Sequence, residues 1–218
     1  MSKPPTWFPF DPEARKWALA PGVLTLFGFV FAIGWLWVPM LLLTVALLGF
    51  FRDPYRRIPH MPGAVVSPAD GKVVQIHTNE NPDAGPVGGP CISIFLSILD
   101  VHVARAPEAG VVSATRLQPP LNERVYHDAR DPRSAQENKA QWIFLDCGRF
   151  KLTVRLIAGW VARQIVCRVD PGQPVRRGER IGIIRFGSRT ELYLPSEARV
   201  QVEVGQQVRV KVDCQRRI

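Results

Sequence analysis

The sequence predicts a mainly β protein with one globular domain that follows an N-terminal membrane anchor. Three observations predict this fold class. Residues 23–51 contain no Asp, Glu, Lys, Arg or His. After Pro54, short runs of β-branched and aliphatic residues alternate with Gly, Pro and Asp, as in strands joined by turns. The 167 residues that follow the anchor are enough for one domain with its own core.

The apolar segment 23–51 exceeds the roughly 20 residues that a helix needs to cross the hydrocarbon of a bilayer. It carries Gly34 and Pro39 near its middle, so a kinked membrane helix and a re-entrant hairpin both fit the pattern. A secretory signal peptide fits less well, because its apolar region is usually only about 7 to 15 residues long. Residues 1–22 are rich in Pro and carry Trp and Phe among charges, which predicts an interfacial segment.

The net charge of +9 lies almost entirely after the anchor, because the first 51 residues hold only three Lys or Arg and two Asp or Glu. A basic domain is attracted to anionic surfaces. The anchor keeps the domain near lipid headgroups, where each basic residue gains about 1 kcal/mol, so an anionic membrane surface is favoured over nucleic acid as a partner. A purely solubilising role for the arginines is the alternative. Arg52, Arg56 and Arg57 favour a cell-membrane location with the domain on the cytoplasmic face.

The strands predicted for the domain are short. They cover residues 64–66, 72–76, 91–96, 110–115, 143–145, 151–157 and 161–169. The polar stretch 122–141 predicts a loop with a little helix. In the last third, repeated Gly-Gln turns between strands are similar to the barrel-sandwich arrangement of lipoyl and biotinyl carrier domains. Residues 176–209 contain no lysine that could carry such a cofactor, so only the fold, and not the carrier function, is expected.

The cysteines predict neither a metal site nor a disulfide framework. They form no C-x-x-C pair, and no His lies at metal-ligand spacing from them. We therefore expect ordinary buried thiols, in agreement with a reducing compartment. The positions are Cys91, Cys147, Cys167 and Cys214.

Three short segments carry side chains that could act in catalysis. They are Ser67-Pro68-Ala69-Asp70-Gly71, the stretch 96–105, and Arg185-Phe186-Gly187-Ser188-Arg189. Each is weak alone. Asp70 before a glycine is typical of a turn, and His102 in its apolar, strand-like setting is typical of a core imidazole bonded to backbone.

Taken together, in this order and behind a hydrophobic anchor, the segments resemble the phosphatidylserine decarboxylases, in particular the short bacterial and archaeal-type subclass. The resemblance covers roughly residues 50–212. Several matches in register are more specific than any single one. The matching pieces are Phe51-Arg52-Asp53-Pro54 with Pro59, the S-P-A-D-G turn, F-L-S-I-L-D-V-H-V-A-R-A-P, Ala158-Gly159 with Val161-Ala162-Arg163, Gly178-Glu179-Arg180-Ile181-Gly182, and F-G-S-R.

The resemblance implies a self-cleaving proenzyme whose cofactor is a pyruvoyl group derived from Ser188, without a metal. The Ser188 hydroxyl would attack the Gly187 carbonyl, and elimination with loss of ammonia would leave the pyruvoyl group. The cut would fall inside the catalytic domain 52–218. It would give a β chain of residues 1–187 and an α chain of residues 188–218, and the two chains would stay together as a heterodimer. A Schiff base with phosphatidylserine would then lose carbon dioxide and give phosphatidylethanolamine.

The resemblance also assigns roles to individual side chains. Asp70 matches the Asp of the self-cleavage relay, and His102 is the candidate proton donor for decarboxylation. Many family members carry a second relay His three residues further on, where this chain has Arg105. The base for self-cleavage is therefore open between Asp70 acting directly and His102 acting in both steps. Arginines beside the matching segments are candidates for binding the substrate's phosphate or carboxylate: Arg105 and Arg189 first, then Arg155 and Arg163.

Two other functions compete with the decarboxylase. A membrane-tethered barrel-sandwich adaptor, a binding module without catalysis, uses similar Gly-Gln turns. Such adaptors insert long helical hairpins between their strands, for which the sequence shows no pattern. A membrane-anchored metallopeptidase of the lysostaphin-like kind is suggested by the P-A-D-G-K-V-V turn. That class needs a His-x-His zinc pair, which the sequence lacks.

Overall fold

The computed structural model describes residues 10–56, 58, 63–161, 163–185 and 187–210. Its contacts divide the chain into two compact units, Met1–Tyr55 and Arg56–Ile218. The first unit is helical, whereas the second consists mostly of antiparallel strands. The mainly β class predicted for the globular domain is confirmed.

The first unit is a helical hairpin. Helix α1 (Glu13–Val30) and helix α2 (Gly34–Phe50) pack against each other and are joined by a three-residue turn. A side chain at Gly28 would meet the backbone and Cβ of Trp37 at 3.0 Å. Glycine at this position therefore allows the two helices to approach closely.

No helix in the described part of the chain is both long enough and apolar enough to cross a membrane. The N-terminal membrane helix that we predicted is therefore not confirmed, whereas the two helices have the arrangement of the hairpin alternative. Helix α1 begins at Glu13, inside the segment 1–22 that we predicted to be interfacial. Residues 1–9 of that segment lie outside the described residues.

The strands of the second unit form two antiparallel sheets. The larger has the order β11-β1-β2-β10-β6-β5-β4-β8, and the smaller has the order β3-β9-β7. The only described α-helix of this unit is α3 (Arg133–Glu137), in the stretch predicted as a loop with a little helix. The strands are β1 (Gly71–Thr78), β2 (Pro90–Leu96), β3 (Val103–Arg105), β4 (Gly110–Gln118), β5 (Ala140–Asp146), β6 (Lys151–Ala158), β7 (Ile165–Cys167), β8 (Pro174–Val175), β9 (Arg180–Ile184), β10 (Ser188–Tyr193) and β11 (Gln207–Val208).

The main apolar core includes side chains from both sheets. Leu156 and Leu192 of the larger sheet belong to the same buried cluster as Ile184 of the smaller one. A side chain at Gly182 in β9 would come within 2.9 Å of a Leu156 methyl group. Glycine here therefore lets the smaller sheet pack tightly against the larger sheet, which positions the end of β9 and the loop that follows it.

The C-terminal third is distributed over both sheets. β8 and β11 lie at opposite edges of the larger sheet, β10 lies near its centre, and β9 belongs to the smaller sheet. These strands are therefore integrated into the whole domain and do not form a barrel-sandwich of their own. The strand predicted over 161–169 is shorter than expected, because only Ile165–Cys167 is a strand and Arg163 has a left-handed φ of 54°.

Candidate active site

Ser188 is the first residue of the central strand β10. It pairs with Leu96 at the end of β2 and with Ala158 at the end of β6. Since antiparallel neighbours alternate in direction, β1 begins on the side where β2 ends. We call the edge that runs from Gly71 across Leu96 and Ser188 to Ala158 the Ser188 end of the sheet.

The other two predicted segments lie at the Ser188 end. Asp70 immediately precedes β1, which lies two strands from β10, or about 10 Å across the sheet. His102 lies in the connection that follows β2, and its carbonyl accepts a hydrogen bond from the Ile184 N–H at 3.2 Å. Ile184 ends β9 and lies only four positions before Ser188 in the chain. The fold thus brings the segments of Asp70, His102 and Ser188 to one end of one sheet.

The Gly187-Ser188 peptide combines an unusual backbone with a buried hydroxyl. Gly187 has a φ of 60°, in the left-handed region that favours glycine. Apart from its two chain neighbours, nothing lies within 4 Å of the position that a Gly187 side chain would occupy, so the backbone angle and not the available space explains the glycine. The Ser188 side chain is fully buried, and its Oγ has no hydrogen-bond partner among the described residues. Thr153 and Thr190 also carry a buried hydroxyl without a partner among the described residues, so what distinguishes Ser188 is that its hydroxyl directly follows the left-handed backbone of Gly187.

His102 is buried, at 1% exposure, and its ring orientation is fixed by a backbone contact. Nδ1 lies 2.9 Å from the carbonyl oxygen of Asp100. Because a carbonyl only accepts hydrogen bonds, Nδ1 carries the hydrogen in this contact, and Nε2 is the nitrogen that can exchange a proton. The Asp100 carboxylate also accepts from the N–H and hydroxyl of Ser97, at 2.9 and 2.8 Å. These bonds shape the loop and hold the imidazole.

Asp70 is a buried carboxyl group with polar partners on both oxygens. Its Oδ1 accepts a hydrogen bond from the Val210 N–H at 2.8 Å, and its Oδ2 pairs with the Arg56 guanidinium. Burial is the largest influence on its pKa and raises it, whereas the Val210 hydrogen bond and the positive charge of Arg56 act in the opposite direction. A carboxyl group with a raised pKa is a better proton acceptor once it is ionised.

The arginines predicted to bind substrate have partners within the protein. Successive side chains of a strand point to opposite faces, so Arg189 lies on the face of β10 opposite to Ser188. There its guanidinium donates to Ser93 Oγ at 2.8 Å and to Gln75 Oε1 at 3.1 Å. Arg105 donates to the Gly178 carbonyl at 2.8 Å. A substrate-binding role for either arginine stays a prediction.

Sequence reasoning missed Glu191. This side chain is 3% exposed and lies between Arg155 and Arg189 on the outer face of β10. The sequence contains a signal for Glu191, because large polar residues occupy every second position of the strand. These are Arg189, Glu191 and Tyr193, which alternate with Ser188, Thr190 and Leu192. Such alternation usually indicates one solvent-facing side, whereas here both sides are buried.

The described cysteines are poor nucleophiles, because burial keeps their thiols protonated. Burial raises the pKa of Cys147 to about 12 and also raises the pKa of Cys91 and of Cys167. Cys91 is buried as expected and the other two are partly buried, while Cys214 lies outside the described residues. Within the described chain, no group of three or more His, Cys, Asp or Glu residues could hold a metal ion.

The fold and this site define a class of protein: a mainly β domain with a serine site suited to cleavage of its own chain. Comparison with known proteins gives the family. The family model described as phosphatidylserine decarboxylase matches residues 43–212, more than half of the chain. The chain therefore belongs to the phosphatidylserine decarboxylase family.

Curated relatives agree with the family match over most of their length. Three of them, each named phosphatidylserine decarboxylase proenzyme, come from Oleidesulfovibrio alaskensis, Nitrosomonas europaea and Nitratidesulfovibrio vulgaris. They are 39%, 38% and 40% identical to this chain over 190, 213 and 192 residues. The aligned parts cover 86%, 95% and 87% of this chain and 85%, 95% and 87% of the relatives.

Proposed function

We propose that the chain is a pyruvoyl-dependent phosphatidylserine decarboxylase that matures by cleaving itself between Gly187 and Ser188. The observation that carries the proposal is the Ser188 hydroxyl, which is buried without a partner among the described residues directly after a left-handed glycine. Leaving a buried hydroxyl unsatisfied destabilises a fold by about 1–3 kcal/mol. The family match supplies the substrate class, a serine-containing phospholipid.

Self-cleavage needs only atoms of the chain and one water. Ser188 Oγ loses its proton to a base and attacks the Gly187 carbonyl carbon, and the C–N bond breaks so that an ester replaces the amide. Loss of the Ser188 α-proton then breaks the Cβ–Oγ bond and leaves Gly187 as a carboxylate and residue 188 as dehydroalanine. Tautomerisation and addition of water release ammonia and leave a pyruvoyl group.

Asp70 is the candidate base that makes a pH prediction. Burial raises its pKa, and only the ionised carboxylate accepts a proton, so self-cleavage should slow on acidification at a higher pH than an ordinary Asp would give. Asp70→Asn should leave mostly uncleaved precursor. Freshly synthesised, radiolabelled precursor from a cell-free reaction can be moved into buffers of different pH, and the appearance of the α chain followed on gels.

A matched control for Asp70→Asn is Asp83→Asn. Asp83 is exposed in the turn between β1 and β2, so this variant should cleave like the wild type. If Asp70→Asn cleaves at the wild-type rate, Asp70 is not the base and His102 is left as the candidate for both steps.

In the mature enzyme, a pyruvoyl group at residue 188 would supply a carbonyl that binds the substrate amine and accepts the electrons released with carbon dioxide. The site fits such a group, because residue 188 is small, buried and first in its strand. Once the ring is protonated on both nitrogens, His102 would donate a proton from Nε2 to the carbon that loses the carboxylate. Hydrogen bonds between β10 and both β2 and β6 would keep the α chain in the sheet after the cut.

The test of this proposal is direct. Purified protein should separate on a denaturing gel into chains of about 187 and 31 residues, and the smaller one should lack a free N-terminal amine and react with carbonyl reagents. Incubation with phosphatidylserine vesicles should form phosphatidylethanolamine. A single intact chain after prolonged incubation, or cleaved protein without decarboxylation, would refute the proposal.

We further propose that the protein works at the cytoplasmic face of the cell membrane with the helical hairpin inserted in the bilayer. Helix α2 contains no charged residue, and six of its large apolar side chains are exposed: Trp35, Val38, Leu41, Leu42, Leu43 and Val45. A hairpin would return the basic residues at its two ends to the same side, namely Arg15 and Lys16 in the first turn of α1 and Arg52 and Arg56 after α2. Protease added to intact spheroplasts should leave the α chain undigested. Digestion of the α chain would instead show that the domain lies on the outer face of the membrane.

An apolar rim at the Ser188 end supports action on lipid. We define it as five exposed side chains in three loops: Ile98 and Leu99 after β2, Leu121 after β4, and Trp160 and Val161 after β6. All three strands end on the side where β10 begins. Exposed apolar side chains clustered around a site mark an interaction surface, and a bilayer that contains the substrate is the surface this enzyme must meet.

Replacing the rim residue Trp160 by Ser should raise KM about tenfold on phosphatidylserine vesicles, because less apolar area enters the interface. Activity on a dispersed, water-soluble short-chain phosphatidylserine should stay near the wild-type value. Val111→Ser is the control, since Val111 is similarly exposed but lies at the opposite end of the sheet. Equal losses on both substrates would show that Trp160 acts on catalysis or folding and not on membrane contact.

A further inference from the structure

Three charged side chains are buried together on the outer face of the larger sheet, opposite to the face of Ser188. The side chains of Arg189 and Glu191 are each 3% exposed, and that of Arg155 is 8% exposed. Glu191 Oε2 lies 3.1 Å from Arg155 Nη1, and its Oε1 lies 3.1 Å from Arg189 Nε. We call these three residues the β10 charge cluster, in which one carboxylate is shared by two guanidinium groups.

The cluster connects β10 to both of its neighbours. Glu191 pairs directly with Ser93 of β2 on one side and with Arg155 of β6 on the other. The Ser93 hydroxyl lies 3.3 Å from Glu191 Oε1 and accepts a hydrogen bond from Arg189 at 2.8 Å. On the far side, the Arg155 guanidinium lies 4.3 Å from the centre of the Trp142 ring. Side-chain bonds therefore reinforce the backbone ladder on both sides of the strand.

These contacts specify one register of β10. A slip by one residue would turn Glu191 into the apolar core, because side chains alternate between faces. A slip by two residues would keep the face but place Glu191 opposite Thr153 or Ile157 instead of Arg155. Either shift would leave buried charges unpaired, which is strongly disfavoured. Buried polar groups are known to select one register among several that apolar contacts alone would allow.

The register of β10 matters most after self-cleavage. In the precursor, the strand is covalently continuous with β9, which ends only four positions earlier in the chain and is itself held in the smaller sheet. The cut removes that link and makes residue 188 a chain end, and free chain ends tend to fray. Glu191 lies three residues, or about 10 Å, along the strand from this new end.

We infer that Glu191 is a positioning residue: paired with Arg155 and Arg189, it holds the α chain in register after cleavage, so that the reacting group of residue 188 stays at the Ser188 end. The inference rests on the proposed function, since it assigns the cluster a task that exists only in the cleaved enzyme. It makes no demand on the chemistry of cleavage, because the cluster and the Ser188 hydroxyl lie on opposite faces of the sheet.

The experiment compares Glu191→Gln in two forms of the full chain: the self-cleaving chain, and the Ser188→Ala chain that stays covalently continuous. Amide hydrogen exchange of the peptide covering residues 188–193 is measured by mass spectrometry in each. We expect Glu191→Gln to speed exchange about tenfold more in the cleaved protein than in the uncleaved one. The kcat of the cleaved variant should fall about tenfold with little change in KM, while the extent of self-cleavage stays normal.

Two further variants complete the design. The double variant Glu191→Gln with Arg155→Gln, which replaces the ion pair by two amides, should regain part of the lost protection. Thr190→Val, on the same strand but the opposite face, should affect both forms equally.

Equal acceleration of exchange by Glu191→Gln in cleaved and uncleaved chains would show that the cluster only stabilises the fold in general, and would overturn the inference. Unchanged exchange in both forms would overturn it as well. If Glu191→Gln does not fold, Glu191→Asp is compared in the same two forms. Absence of cleavage in the wild type is a separate result, visible on the gel, that would refute the proposed function itself.

Discussion

Replacing Ser188 with alanine is expected to leave the protein as one uncleaved chain of 218 residues without decarboxylase activity. The physical reason is that the hydroxyl is the nucleophile of self-cleavage and its Cβ–Oγ bond is the one that breaks in the elimination, while the carbon atoms of residue 188 become the reacting group, so no neighbouring side chain can replace it. Denaturing gels and intact mass spectrometry measure the first effect, and phosphatidylethanolamine formation on vesicles measures the second. The loss should be complete within the detection limit.

The structure offers a close control for Ser188→Ala. Thr190 lies two residues along β10 on the same face, is buried, and has an Oγ1 without a hydrogen-bond partner among the described residues. Thr190→Val removes that hydroxyl while keeping the volume, and this variant should still be cleaved. Cleavage of Ser188→Ala at the same peptide bond would show that the cut is made by another group or another protein.

Ser188→Ala should also be at least as stable as the uncleaved wild type. A buried hydroxyl without a partner lowers the free energy of unfolding, and removing it while leaving the surroundings intact recovers part of that loss. A substitution that raises stability and abolishes function at the same atom is expected at a functional site, where activity needs a group that destabilises the fold. Ordinary core serines that bond to backbone show the opposite behaviour.

Short segments made Asp70, His102 and Ser188 accessible to sequence reasoning. Each lies next to a glycine or in an apolar stretch that limits its local structure, and together they match one family. Their meeting at one end of the larger sheet follows from pairings between residues far apart in sequence, such as Ser188 with Leu96 and Ala158. No local pattern encodes those pairings, so the site could be named but not assembled from the sequence.

Adjacency in sequence does not place Arg189 beside the Ser188 side chain. Arg189 follows Ser188 directly, but the pleat of β10 directs it to the other face, and its role in substrate binding stays a prediction. Glu191 escaped notice for a related reason. A strand with alternating charged residues resembles one that has a solvent-exposed face. The burial of Glu191 depends on Trp142 and on the neighbouring strands, which are distant in sequence from residue 191.

The N-terminal unit shows a third limit. Counting apolar residues located the segment 23–51 but did not place its turn, since the residue with the left-handed backbone there is Ala32, at a φ of 52°. Alanine carries no turn signal, and Gly34, which does, begins the second helix instead. In the same way, the left-handed backbone of Arg163 interrupts the predicted strand 161–169 near its start, and β7 begins only at Ile165.

His102→Ala should lower decarboxylation by about 10²–10⁴-fold per cleaved chain, the usual contribution of a positioned acid or base. The Asp100 carbonyl orients the ring through Nδ1, and the Ile184 N–H holds the His102 backbone, so Nε2 can take up a proton and donate it without reorientation of the ring. The measurement is carbon dioxide release in a single turnover, divided by the amount of α chain, so that a cleavage defect does not count as a catalytic one. His77→Ala, an exposed histidine towards the far end of β1, should behave as wild type.

The same variant decides between the two candidate bases for self-cleavage. If Asp70 acts directly, His102→Ala is cleaved at a normal rate and fails only in decarboxylation. If His102 serves both steps, precursor accumulates as well, and Asp70→Asn then affects cleavage only indirectly. Full turnover by cleaved His102→Ala would remove this histidine from the mechanism. The separation is possible because a residue that acts only on substrate cannot slow a reaction that takes place before substrate binds.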